Sequence, residues 1–130
     1  MILGFDPGKD KCGVAVMDDQ LKLYDRQVVP SKKTVEILQS LCQKFSIQTL
    51  VMGNQTTSKM WEKKLRNALP DQITIVKIDE RYSSLEARDR YWQLYPPQGL
   101  TRLIPQGMRT PPCPIDDIVA MILIERYLKA

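Results

Sequence analysis

The chain has 130 residues, 43% of them hydrophobic and 26% charged, the size and usage of one folded domain, which argues against disorder and against a fibre. Nineteen Lys and Arg against fifteen Asp and Glu leave a formal charge of +4. The pI near 9.0 is mildly basic, compatible with a polyanionic partner without requiring one. The absence of histidine excludes Ser-His-Asp and Cys-His catalysis and imidazole ligation of zinc or haem.

Cys12, Cys42 and Cys113 show no C-x-x-C spacing, and an odd count argues against a disulfide framework. They read as free thiols in a reducing compartment. Asp6 comes too early for a signal-peptide apolar region, and the longest apolar run, residues 118–124, is far below the roughly 20 residues a bilayer span needs. A soluble, cytoplasmic protein with no membrane partner is expected.

In chain order, residues 2–5 form a short apolar run closed by Asp6-Pro7-Gly8, a buried strand and a turn. Residues 13–17 and 21–29 give two further strands, and their short polar connections suit an antiparallel meander. Pro30-Ser31 opens a helix with Leu38, Leu41, Cys42 and Phe45 on one stripe. The rhythm then alternates. Residues 49–52 are a strand ended by Gly53, and Ser58 is the candidate N-cap of a helix carrying Trp61, Leu65 and Leu69. Residues 73–78 form a β-branched strand ending at Asp79-Glu80. Ser83 and Glu86 have capping-box spacing for a helix that Pro96-Pro97 stops. Six of the nine prolines then fall within 96–114, a long connection of the functional or mobile kind. Residues 115–128 form a last helix, with Ile118, Val119, Ile122 and Leu123 turned inward. The alternation predicts an α/β fold: a meander followed by β-α-β-α-β in one mixed five-stranded sheet with helices on both faces.

Acids sit at three element ends: Asp6 after the first strand, Asp79-Glu80 after the strand at 73–78, and Asp116-Asp117 in the first turn of the last helix. Strand C-termini in open α/β sheets converge on the ligand crevice. A carboxylate cluster there is costly unless a cation neutralises it, and oxygen ligands suit Mg²⁺ or Mn²⁺. Each acid also has a plainer reading. Asp116 and Asp117 would complement a helix dipole, Asp6 would form a turn, Asp79-Glu80 would pair with Arg81 or Lys77, and Glu86 would close a capping box. The coincidence of three sites favours the functional reading.

The motifs resemble a known family. Asp6-Pro7-Gly8 followed by Gly13-Val14-Ala15-Val16 resembles the opening D-x-G…G-V-A-V signature of the YqgF/RuvX family. Asp79-Glu80-Arg81 with Ser83-Ser84-Leu85-Glu86-Ala87 is similar to its D-E-R segment, and Ile115-Asp116 through Leu123 to its closing I-D-x-x-A-A-x-I-L helix. The resemblance runs from Met1 to Leu128. It implies an RNase H-like fold in one domain over 1–130, a Holliday-junction-resolvase-like nuclease, and a role in processing the 5′ end of precursor 16S ribosomal RNA. It implies catalytic, metal-holding acids at Asp6, Glu80 and Asp116, with Asp79 as a substitute ligand. Asp116, not Asp117, aligns with the family's acid. This chain departs from the pattern at Asp10-Lys11-Cys12, where the family commonly has Lys-Arg, and in the loop Gly53-Asn54-Gln55-Thr56-Thr57-Ser58, which resembles a divergent branch.

The implied chemistry is phosphodiester hydrolysis assisted by two Mg²⁺ or Mn²⁺ ions, with Asp6 bridging and Glu80 and Asp116 holding one each. Arg81, Arg88, Arg90, Arg102 and Arg109 against Glu86 and Asp89 leave +3 over residues 81–112. Lys59, Lys63, Lys64 and Arg66 against Glu62 leave +3 over 57–66. Arg81, Arg102, Arg109 and Lys59 are the candidate nucleic-acid contacts. Trp61, Trp92, Tyr91 and Tyr95 read as base-stacking rings or, at helical spacing, as core. The competing readings are a junction resolvase, which needs a symmetric homodimer, and an inactive binding module on the same fold. A sugar-kinase-like ATPase needs two such domains and is set aside. The expected partner is structured RNA or branched DNA, bound by a monomer or homodimer.

Overall fold

A computed structural model describes residues 1–54 and 57–129; Gln55 and Thr56, in the divergent loop noted above, lie outside the described residues. Strands β1 (Ile2–Asp6), β2 (Lys11–Met17) and β3 (Leu23–Pro30) form the expected antiparallel meander. Strands β4 (Thr49–Gly53) and β5 (Thr74–Ile78) run parallel to β1. The order β3-β2-β1-β4-β5 is the mixed five-stranded sheet of an RNase H-like fold.

Side-chain alternation along β1 assigns the faces. Leu3 and Phe5 point to the side covered by α1 (Thr34–Lys44) and α2 (Ser58–Ala68), where Leu38, Leu41, Trp61 and Leu65 complete one core. Ile2, with Ala15, Met17 and Val51, faces α4 (Asp116–Lys129) through Ala120, Met121, Leu123 and Ile124. Helix α3 (Ser83–Leu94) packs on α4, with Ala87 and Tyr91 against Ile118, Val119 and Ile122. Sandwiched between sheet and α3, α4 buries every residue from Ile118 to Ile124, more than the four expected. Gly4 permits this approach, since a Cβ there would lie 2.4 Å from the Ala120 carbonyl oxygen.

Several boundaries differ from expectation for local reasons. The third strand starts at Leu23 because Leu21 adopts a left-handed φ of 65° in a turn that Asp18 organises through the N–H groups of Gln20 and Lys22. A 3-10 turn over Ser31–Lys33 precedes α1. Ser58 is the first residue of α2 rather than its cap, and no side chain caps that end. The capping box at Ser83 is not formed. Tyr82, at φ 61°, precedes the helix without a side-chain cap, and Glu86 instead reaches across to Arg126. The proline-rich connection forms two short 3-10 turns, Gly99–Leu103 and Gln106–Met108, and leaves Leu100, Leu103 and Met108 74–82% exposed. Among the described residues no helix is long and apolar enough to cross a membrane.

Candidate active site

Asp6 ends β1 directly opposite Gly13 of β2, on the face covered by α4. Gly13 is indispensable there: a Cβ would lie 1.8 Å from the Asp116 carbonyl oxygen. The missing side chain lets the first turn of α4 rest on the sheet beside Asp6. Gly53, the last residue of β4, does the same for the third acid, because a Cβ there would lie 2.6 Å from the Glu80 carboxylate. Two glycines thus let the Asp116 backbone and the Glu80 carboxylate approach the end of the sheet that carries Asp6.

The charges of these acids also act on one another. Asp6 is only 9% exposed. Its carboxyl is raised from 3.8 to about 7, first by burial and then by the negative charges of Asp116 and Glu80. A buried acid with two like-charged neighbours holds its proton until a cation offsets the repulsion. Among the described residues no three acidic or cysteine side chains converge closely enough to hold one ion as they stand. The donor set is nonetheless all carboxylate oxygen, the chemistry Mg²⁺ and Mn²⁺ take, with the Asp116 backbone seated over Gly13 and the Glu80 carboxylate over Gly53.

The neighbouring acids are engaged elsewhere. Asp79 accepts the Arg81 N–H at 2.9 Å in a tight turn, and its carbonyl accepts Arg126 at 2.8 Å. Asp117 pairs with Arg26 at 3.0 Å and also accepts the Ile118 N–H. Burial pushes its carboxyl up despite the guanidinium. Of the two acids opening α4, Asp116 therefore faces Asp6 while Asp117 ties the helix to β3.

The candidate nucleic-acid contacts divide. Arg81 and Lys59 are exposed, and neither side chain has an ion pair among the described residues. Arg102 donates to the Gly99 carbonyl at 3.4 Å, and Arg109 donates to the Ile104 carbonyl at 2.8 Å while lying 5.7 Å from the Trp92 ring. Trp61 and Tyr91 are core residues, Trp61 edge-on to Phe5 with centroids 5.2 Å apart, so the packing reading prevails for both. Tyr95 is exposed and accepts a 2.6 Å bond from Arg26.

Sequence reasoning gave no role to Gly13 and Gly53 beyond the motifs that contain them. It also passed over Lys9 and Lys32, which line a cleft starting at Pro7, next to Asp6. The usable signal for Lys9 was its position directly after the Asp6-Pro7-Gly8 turn. Lys32 carried none, being brought near only by the pairing of β2 with β3.

The mixed sheet therefore carries acids at the end of β1, just after β5 and at the start of α4. The whole chain, residues 1–130, matches the family described as "RuvX: Holliday junction resolvase", and it belongs to that family. Among solved structures, one titled "Thermus thermophilus RuvC structure" is similar at 14% identity and a TM-score of 0.49, covering 97% of this chain and 93% of that one. No curated protein sequence matches the chain significantly.

Proposed function

We propose that this chain is a single-domain, metal-dependent endonuclease of the cytoplasm that hydrolyses phosphodiester bonds in structured nucleic acid, with the 5′ end of precursor 16S ribosomal RNA as its substrate. One observation carries the reading: the Asp6 carboxyl, buried and flanked by Asp116 and Glu80, is raised to about 7. A fold has little reason to gather three acids over two glycines unless their charge is used.

Mg²⁺ or Mn²⁺, when bound, supplies neutralisation of phosphoryl charge and a water of lowered pKa. Asp6, Glu80 and Asp116 would hold the ion, and Asp6, flanked by the other two charges, would be the carboxyl that loses its proton as the ion binds. Asp116 is delivered by a helix N-terminus, whose positive dipole end lies beside the developing negative charge. Asp79 is the reserve ligand, available if its turn bond to Arg81 is released. Without histidine, proton transfer falls to carboxylates and water. Arg81 and Lys59 offer unpaired charge to phosphates, and Arg102 and Arg109, each using Nε on a backbone carbonyl, keep their Nη donors for the same purpose.

The ribosomal RNA substrate is supported by the motif resemblance. The family description favours a second reading, resolution of four-way DNA junctions, which requires two sites in a symmetric homodimer. Incubating the protein with a precursor 16S fragment and with a synthetic junction, with and without Mn²⁺, separates them. The expected result is Mn²⁺-dependent cleavage of the RNA that Asp6→Asn abolishes. Cleavage of the junction alone selects the second reading, and binding of either without Mn²⁺-dependent cleavage leaves an inactive binding module.

A further inference from the structure

On the other side of the β1 terminus from the acid cluster lies a cleft of about 550 Å³, lined by Lys9, Lys32 and Lys64 together with Ser31, Met60 and Trp61. It begins at Pro7, and Gly8 is at most about 7 Å from Asp6 along the chain. Its walls are built. The Ser31 hydroxyl donates to the Gly8 carbonyl at 2.9 Å, and the Ser31 N–H donates to the Asp10 carbonyl at 2.9 Å. These bonds clamp the turn carrying Lys9 to the β3–α1 junction carrying Lys32. Gly8 itself is required, since a Cβ there would lie 2.1 Å from the Lys11 carbonyl oxygen. The third wall is the face of α2 that presents Met60 and Lys64, the latter 4.9 Å from the Trp61 ring centroid.

No carboxylate lines this cleft among the described residues, and none of its three ammonium groups has an ion pair there. Three lysines around one cleft with no carboxylate in its lining make a local excess of positive charge that suits a polyanion. We propose that this cleft binds the phosphates of the strand leading away from the scissile bond, with Lys9, Lys32 and Lys64 each facing a phosphate and exposed Met60 offering apolar contact to a sugar or base. The strand then passes over Pro7-Gly8 between the acids on one face of the sheet and the lysines on the other. This assignment rests on the nuclease reading and names the part of the site that holds substrate.

The test is fluorescence anisotropy with labelled single-stranded RNA, single-stranded DNA and a four-way junction, in an Asp6→Asn background so that no probe is cut. Lys9→Ala/Lys32→Ala/Lys64→Ala is expected to weaken single-strand binding about tenfold or more. It should make the slope of log K against log salt shallower by about 2, with each single variant contributing about 0.7. Lys63→Ala/Arg66→Ala, on the adjoining face of α2, leaves affinity within about threefold. Arginine at all three cleft positions restores binding, which separates charge from damage to the fold. Equal affinity and slope in the cleft variant and its parent, or equal losses in the cleft and control variants, overturn the assignment. A parent that binds none of the probes removes the nuclease reading as well. A parent that binds and a wild type that cleaves, with the cleft variant unchanged, removes the cleft alone.

Discussion

Two basic regions flank the acid cluster, and they use positive charge in opposite ways. On the α3–α4 side the arginines other than exposed Arg81 are occupied. Arg90 grips Glu125 with two bonds of 2.7 and 2.8 Å, Arg26 holds Asp117, Arg126 holds Glu86, and Arg88 donates to the Arg109 carbonyl at 3.1 Å. On the α1–α2 side Lys9, Lys32 and Lys64 meet in a cleft without a counter-charge. A planar guanidinium suits bidentate structural pairing, whereas a lone ammonium held by rigid backbone stays available to a ligand. Net charge does not separate the two stretches of sequence, at +3 over 57–66 and +3 over 81–112. Only the pairing distinguishes a scaffold from a docking surface.

The contrast can be broken most sharply at the acids between the two regions. Asp6→Asn should lower cleavage by roughly 10³-fold or more in a steady-state assay, since it removes the shared ligand. The same substitution should stabilise the metal-free fold. Asp6 has a folded value of about 7 against 3.8 for the free side chain. Between those values the folded protein keeps a proton that the unfolded chain releases, so metal-free stability falls as pH rises from about 4 to 7. By pH 8 the penalty is on the order of 4 kcal/mol, measurable as a gain for Asp6→Asn in urea unfolding. A flat pH profile in the wild type would show that the cluster does not load Asp6.

Gly13→Ala comes next, at about 3 kcal/mol of lost stability, because the new methyl strikes the backbone of Asp116 rather than a side chain that can turn away. Gly53→Ala meets only the movable Glu80 carboxylate, so activity should fall further than the melting temperature. Arg90→Ala strands Glu125 and costs about 1–3 kcal/mol by chemical denaturation. Its nucleic-acid affinity should be unchanged, and a loss of affinity would mean that the arginine side also binds. The smallest effects belong to the outer arginines. Arg81→Ala, Arg102→Ala and Arg109→Ala should each flatten the salt slope by at most about 0.7, the contribution of one phosphate contact.

Much of this was legible along the chain. The apolar runs at 2–5, 13–17 and 49–52 are buried strands because both faces of the sheet are covered, and β-strand patterning survives such burial. The acid positions were legible as element ends, and the family resemblance singled out Asp6, Glu80 and Asp116 among them. The caps were not. Ser58 and Ser83 have the right chemistry, but tertiary pairing took Glu86 for Arg126, and α2 starts at Ser58 itself. The aromatic rings could not be sorted either, since helical spacing is the same for Trp61 in the core and Tyr95 at the surface.

The sequence by itself determined the element types, the order of the strands along the chain and the placing of acids at three element ends, because periodicity, turn chemistry and motif order are local properties. Tertiary structure alone decided that Asp116 faces Asp6 while Asp117 turns to Arg26, that two glycines make room for the cluster, and that Lys9 and Lys32 share a wall. Those relations depend on packing between segments distant in the chain, where a single Cβ or a single ion pair settles which side chains remain free to act.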